Sequence, residues 1–337
     1  MEKVAINKFD VKKWYVANFE LFENSLNGSR KIPFHEIRKE AISKFSDMGF
    51  PTSRNEDWKY TNIAPILAHK FKLETEPIKL AKNVVNDFIF EGLEETLLVF
   101  VNGQFSKELS RFNSKSKGLM VDSLRNMLQY RPEIVNKYLG RYAAFENESF
   151  TALNTAFTYH GTFIYVPERM IVEEPIHIIN LSDSSESAFV SHPRNLCVVG
   201  KGSQINIIES YHHFSNNTYF NNVVTEVVIG ENAIVNYIKI QEEGEQAYHI
   251  ANTQVHQEND SVYSSVNIDL GGTLVRNNLN VLLNGQNCET NLYGFYIGGE
   301  TQHIDNHTFI DHAKPHCHSN ELYKGILDGK ARGVFNG

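Results

Sequence analysis

The chain has 337 residues, 41% of them apolar, and a formal net charge of −8. That length supports one large core, or a core with a smaller appended region. The scattered Lys and Arg residues argue against nucleic acid as a main ligand, because phosphate binding needs concentrated positive charge.

Three cysteines, Cys197, Cys288 and Cys317, are odd in number and far apart in sequence, which excludes a disulfide framework and fits a reducing compartment. The N-terminal stretch MEKVAINKFDVKKWY lacks an apolar core of signal-peptide length. No run nears the roughly 20 apolar residues of a membrane span. The expectation is a cytoplasmic protein with no membrane partner.

The first ninety or so residues read as helical. In PFHEIRKEAISKFSDMGF, Ile37, Ala41, Phe45 and Met48 recur at steps of three and four, one face of a helix. Pro33 suits its start, and Gly49 with Pro51 suits its end. The polar segment PTSRNEDWKYTNI follows, and its Trp58 and Tyr60 are expected to pin a connection to the core. From Leu97, TLLVFVNGQFS is a β-rich run broken by the turn pair Asn102-Gly103. Residues 120–158 return to helix in MVDSLRNMLQY, RPEIVNKYLG and ENESFTALNTAF. These readings divide the chain into a helical region, 1–95, and a β core, 96–337, with a helical insertion around 120–158.

Beyond Gly161 the chain is almost wholly strand-like, and it repeats. A small residue follows a polar turn at Ser203, Ala233, Ser261, Cys288 and Cys317, with steps of 30, 28, 27 and 29. A near-constant step of this size marks a solenoid, and two strands and two turns per repeat specify a β-helix. The fold class is therefore mainly β, a parallel β-helix. By the same count, His312 is the equivalent of His256, with Val228 and Leu283 in the other two repeats.

The stretch TQHIDNHTFIDHAKPHCHSNELYKGIL raises the question of metal. Neutral imidazole and thiolate suit zinc, copper or iron, so His312, His316, Cys317 and His318 are the candidate ligands. In a strand, His316 and His318 would face one side and could chelate together. That pair is similar to the His-x-His of cupins, although Glu321 follows too soon and Ile310 stands where a Gly is expected. A cupin-like metal-dependent enzyme is the alternative this pair supports. The other reading makes Cys317 a repeat-position residue, in line with Cys288, Ser261, Ala233 and Ser203. No dinucleotide loop, phosphate loop or nucleophile elbow is present.

PTSRNEDWKYTNI, SFTALNTAFTYHGTFIYVPERMIVEEPIHI and HSNELYKGILDGKARGVFNG, together with the β-helical middle, resemble the SufB/SufD family of iron–sulfur cluster assembly proteins. The Trp58-Lys59-Tyr60-Thr61 segment points to the SufD-type members. The resemblance covers about Phe45 to Gly337. It implies a right-handed β-helix, and a non-ATPase scaffold that acts with SufB and the ATPase SufC, or pairs with itself. It implies no catalysis of its own and no firmly bound cofactor, only a transient iron–sulfur cluster in the complex with SufB. The family adds a C-terminal helical region that docks the ATPase. Its absence here is read as a truncation that impairs SufC docking. The family's functional His lies in that later segment, so no catalytic or cofactor-binding residue is carried over. Three scattered cysteines further argue that this subunit alone holds no stable cluster, since such clusters take thiolate ligands.

Overall fold

A left-handed residue followed by a small one marks the same corner of five successive coils. Gly202, Asn232, Asp260, Asn287 and His316 have φ of 65, 56, 58, 55 and 65°. Gly, Asn and Asp adopt this conformation at least cost. The next residues, Ser203, Ala233, Ser261 and Cys288, are at most 1% exposed, and Cys317 is half-buried. The strands after each corner pair in parallel: Gln204 with Ile234, Ile234 with Val262, Val262 with Glu289, Glu289 with His318. The repeat read from the sequence is thus the repeat of a parallel β-solenoid of about six turns.

This computed structural model describes residues 10–26, 34–73, 78–112 and 117–337. Two sheets carry the coils. The first runs, neighbour to neighbour, through Arg332–Asn336, His303–Asp311, Leu274–Leu283, Ala247–Gln257, Tyr219–Ile229, Arg194–Val199, Thr162–Val166 and Met120–Ser123. The second runs through His318–Leu327, Glu289–Gly298, Val262–Asp269, Ile234–Gln241, Gln204–His213, Ile176–Ser182, Thr96–Val101 and Gln104–Phe105. Asn102 and Gly103, both at positive φ, form the hairpin turn between the last two.

Three expectations change. His256 pairs with Leu282, and Leu282 with Asp311, so Leu283 and His312 are not equivalents of His256. Gln257 and Leu283 are partners, yet Cys288 follows Leu283 by one residue more than Ser261 follows Gln257; the corner has lengthened, and counting back from it slips. Met120–Ser123 is a strand, antiparallel to Thr162–Val166, and only then does the chain turn helical at Leu124–Tyr130, Pro132–Tyr138 and Ser149–Ala156. Tyr60 is 56% exposed and anchors nothing to the core, unlike Trp58 at 5%.

The helical region begins with Val11–Ser25 and Phe34–Met48. Asp10 caps the first by accepting from Lys13 N at 3.1 Å. Gly49, at φ 66°, closes the second with its N–H on Phe45 O at 2.7 Å; Pro33 lies outside the described residues. Ala41 and Phe45 of that helix join Trp58 and Phe150 in one apolar cluster with Phe220, Tyr248, Ile250 and Leu274, which stand on the outer face of the first sheet. The solenoid interior is half apolar. Ile207, Val227, Val235, Val255, Val281 and Leu283 pack there beside the small-residue corner. Among the described residues, no helix is long and apolar enough to cross a membrane.

Candidate functional site

The four candidate ligands lie on one corner but do not converge. His316 sits in the turn, in the left-handed position that Asn287 and Asp260 fill below it. Only His318 belongs to a strand. The argument that both imidazoles share a strand face therefore does not apply to this pair. His312 Nε2 lies 3.0 Å from Ser319 Oγ. Cys317 Sγ donates to Gly285 O at 3.3 Å, on the coil below. Among the described residues, no group of three or more His, Cys, Asp or Glu side chains is placed to hold a metal ion.

The other histidines of that stretch build a different site. Along His303–Asp311, alternate residues His303, Asp305 and His307 face outward, toward the segment around Trp58. Arg276, paired with Asp305 across the ladder, donates from Nη1 to Asp305 Oδ2 at 2.6 Å. Its guanidinium lies 4.1 Å from the centre of the Trp58 ring, a cation–π contact strengthened by burial. Thr61 donates its hydroxyl to Asp305, and the same oxygen is 2.8 Å from His303 Nε2. His307 Nε2 lies 2.9 Å from Asp305 Oδ1. Burial pushes the Asp305 carboxyl up, but the His307 hydrogen bond, the Arg276 charge and the Thr61 hydrogen bond outweigh it and hold it below the ordinary range. Burial also lowers His303. A polar cleft of about 270 Å³ opens beside this cluster, with Asp57, Glu148, Asn252, Asn280, His307 and Phe309 among its lining. The charges here are spent on one another, so the cluster clamps the Trp58–Thr61 segment to a late coil while leaving a neutral-to-acidic cleft at its edge.

Two further buried charge groups escaped the sequence reading. On the outer face of the first sheet, Arg194 and Glu226, both fully buried, pair at 2.8 Å. Glu226 also accepts from the backbone N–H of Gly140, Tyr142 and Ala143 at 2.9, 2.9 and 3.1 Å. Inside the solenoid, Lys239 Nζ lies 2.9 Å from His249 Nε2 and donates to Asn277 Oδ1 at 2.7 Å. Glu209 accepts from Tyr211 and Tyr237 at 2.7 and 2.8 Å. Glu243 lies 2.7 Å from His249 Nδ1 and accepts from Asn221 at 2.6 Å. Burial raises the Glu243 carboxyl, and the His249 charge with these hydrogen bonds brings it back below its usual value. Buried carboxylates are tolerated when their oxygens are satisfied in this way. The ladder spacing was the available signal: Arg276 and Asp305, or Arg194 and Glu226, are one coil apart.

A helical region clamped by charge and aromatic contacts onto one sheet of a parallel solenoid defines the architecture; the opposite sheet is covered over its first strands, at Val99, Ile179 and Leu181, and open over its later ones. Two family models divide the chain between them. The SufBD protein N-terminal region matches residues 9–178, and the SUF system FeS cluster assembly, SufBD core domain matches residues 180–337. The chain belongs to the SufBD family of iron–sulfur cluster assembly proteins. An iron–sulfur cluster assembly SufBD family protein of Synechocystis is 30% identical over 308 residues, 89% of this chain and 68% of the relative. The iron–sulfur cluster assembly protein SufD of Escherichia coli is 24% identical over 329 residues, 97% of this chain and 72% of the relative. SufD of Bacillus subtilis is 24% identical over 315 residues, 89% and 70%.

Proposed function

We propose that this chain is a non-ATPase scaffold subunit of an iron–sulfur cluster assembly complex, working with SufB and the ATPase SufC in the cytoplasm. The observation that carries this reading is the similarity to relatives named SufD along both the helical region and the solenoid. The clamp at Arg276, Asp305, Trp58 and Thr61 supports it physically, because a scaffold must hold its two parts in fixed relation. On this reading the chain has no catalysis of its own, and the nascent cluster is cargo held jointly with SufB.

The test is co-purification. The tagged chain is co-expressed with SufB and SufC from one genome, and the eluate is assayed for partners and for iron and sulfide. The expected result is SufB retained in near-equal amount, with no cluster absorption from the chain purified alone without air. Failure to retain either partner overturns the reading, and so does a stoichiometric cluster on the isolated chain.

A further inference from the structure

Cys288 and Cys317 are 29 residues apart in sequence and look unrelated. The solenoid makes them neighbours. Each directly precedes a strand, and those strands pair residue for residue from Glu289 with His318 onward. His318 N donates to Cys288 O at 2.9 Å, so the ladder extends to the corner itself. Both side chains occupy the small-residue position and point to the same place. Cys288 Sγ is 3.2 Å from Gly285 O, and Cys317 Sγ is 3.3 Å from the same oxygen. That oxygen is fixed, because Gly285 lies so close to the preceding coil that a Cβ there would come within 2.0 Å of Asn259 N.

From this placement we infer that Cys288 and Cys317 form a vicinal dithiol, a site of reversible oxidation to an intramolecular disulfide that staples two successive coils. Adjacent parallel strands lie about 4.8 Å apart, inside the roughly 4.4–6.8 Å Cα separation that a disulfide spans. The oxidant is a peroxide: two thiols and one hydrogen peroxide give one S–S bond and two waters, with both thiol protons and two electrons passing to the peroxide oxygens. Cys317, half-buried, is the sulfur the peroxide reaches; Cys288 is 0% exposed and resolves the oxidised sulfur. The third thiol, Cys197, is buried on the first sheet, where it pairs with Val227 and Ile164, and has no cysteine partner.

The test counts thiols. The folded full chain is treated with hydrogen peroxide, quenched, unfolded, and titrated with a thiol reagent alongside intact-mass measurement. The expected result is a fall from three titratable thiols to one, a mass loss of two hydrogens, and a peptide pair joined at Cys288 and Cys317, all reversed by dithiothreitol. Cys288→Ser and Cys317→Ser each abolish the mass loss, while Cys197→Ser keeps it. Both serine variants are expected to fold, because Ser203 and Ser261 already fill the same corner position, and their melting curves check this. Three thiols surviving the treatment overturn the inference. So does consumption of Cys317 as a sulfinic acid or as an intermolecular crosslink.

Discussion

The two flanks of the solenoid share a parallel ladder and differ in what covers them. On the first sheet, outward residues such as Phe220, Ile250 and Leu274 are at most 4% exposed, because the helical region packs over them. On the second, the first strands are capped at Val99, Ile179 and Leu181 by Val85 and Leu109, but beyond them Ile208, Ile238, Val266, Tyr293 and Leu322 stack in one outward column, whose exposure reaches 41% at Tyr293 and 50% at Leu322. Beside that column runs an amide ladder: Asn236 donates to Asn206 at 2.8 Å and Asn320 to Asn291 at 2.9 Å. Parallel sheets are usually covered on both faces. The difference teaches that this ladder is sustained by its interior and by coil-to-coil pairing, while the outer flank is free to specialise. One flank specialises in buried charge, the other in a half-apolar, amide-striped surface.

The comparison breaks most severely at Glu226. Glu226→Ala leaves the Arg194 guanidinium buried without its partner and frees three backbone N–H groups. Removing one member of a buried pair costs about 3–5 kcal/mol, so the urea midpoint should fall sharply or the chain should fail to fold. Trp58→Ala takes the covering ring off Arg276 and Phe150, whose centroid lies 5.2 Å from that of Trp58. A loss of about 3 kcal/mol is expected by chemical denaturation. If it costs under 1 kcal/mol, the clamp contributes little.

A matched pair sharpens the contrast. Ile250→Thr, on the covered flank, buries a hydroxyl among Trp58-side apolar groups and should cost about 2 kcal/mol. Ile238→Thr, on the open flank, should stay within about 0.5 kcal/mol. Equal losses would mean that both outer faces are buried in solution.

Acid offers a third comparison. Burial lowers His192, under the helical region, to about 3 and His177, under Phe90, to about 4. Both are neutral in the folded state, and each regains an ordinary value of about 6.5 on unfolding. Their contribution is present above pH 6.5 and is lost as pH falls toward the folded values. His192→Gln should therefore flatten the decline in unfolding free energy between pH 6 and 4 by about 1.4 kcal/mol per pH unit. An unchanged slope would mean His192 is charged when folded.

The smallest effect concerns His316. His316→Asn should be neutral, matching Asn287 and Asn232 at the same corner, whereas His316→Val should cost about 1–2 kcal/mol through backbone strain. Equal melting temperatures for the two would contradict the corner role.

Much of the fold was legible because the corner is local chemistry. A left-handed Gly, Asn or Asp followed by a small residue is visible in the chain without knowing any contact. What slipped was register beyond the corner: one residue inserted after Leu283 moved His312 away from the equivalent of His256. Met120–Ser123 merges in the sequence with the helix that follows because four residues carry no period of their own. The site was less legible. Trp58 is recognisable as an anchor, but its partner Arg276 lies more than two hundred residues on, and only folding brings them together. In the sequence Cys288 and Cys317 are members of one column and still look scattered, because column membership shows alignment while the shared Gly285 carbonyl shows contact.

The Thr61 hydroxyl meets Asp305 and His303 across sequence separations of 244 and 242. Coils of a solenoid can form in succession, each templated by the last. This contact cannot. Thr61 leaves the ribosome long before Asp305 is made, and its partner strand becomes a surface only once the preceding coil is in place. The clamp is thus a closing step of very high contact order, made when the stack is nearly complete. Until then the helical region is held through Phe220, Tyr248, Ile250 and Leu274, and a chain that stops short of Asp305 lacks the hydrogen bonds that fasten Thr61 to the late coil.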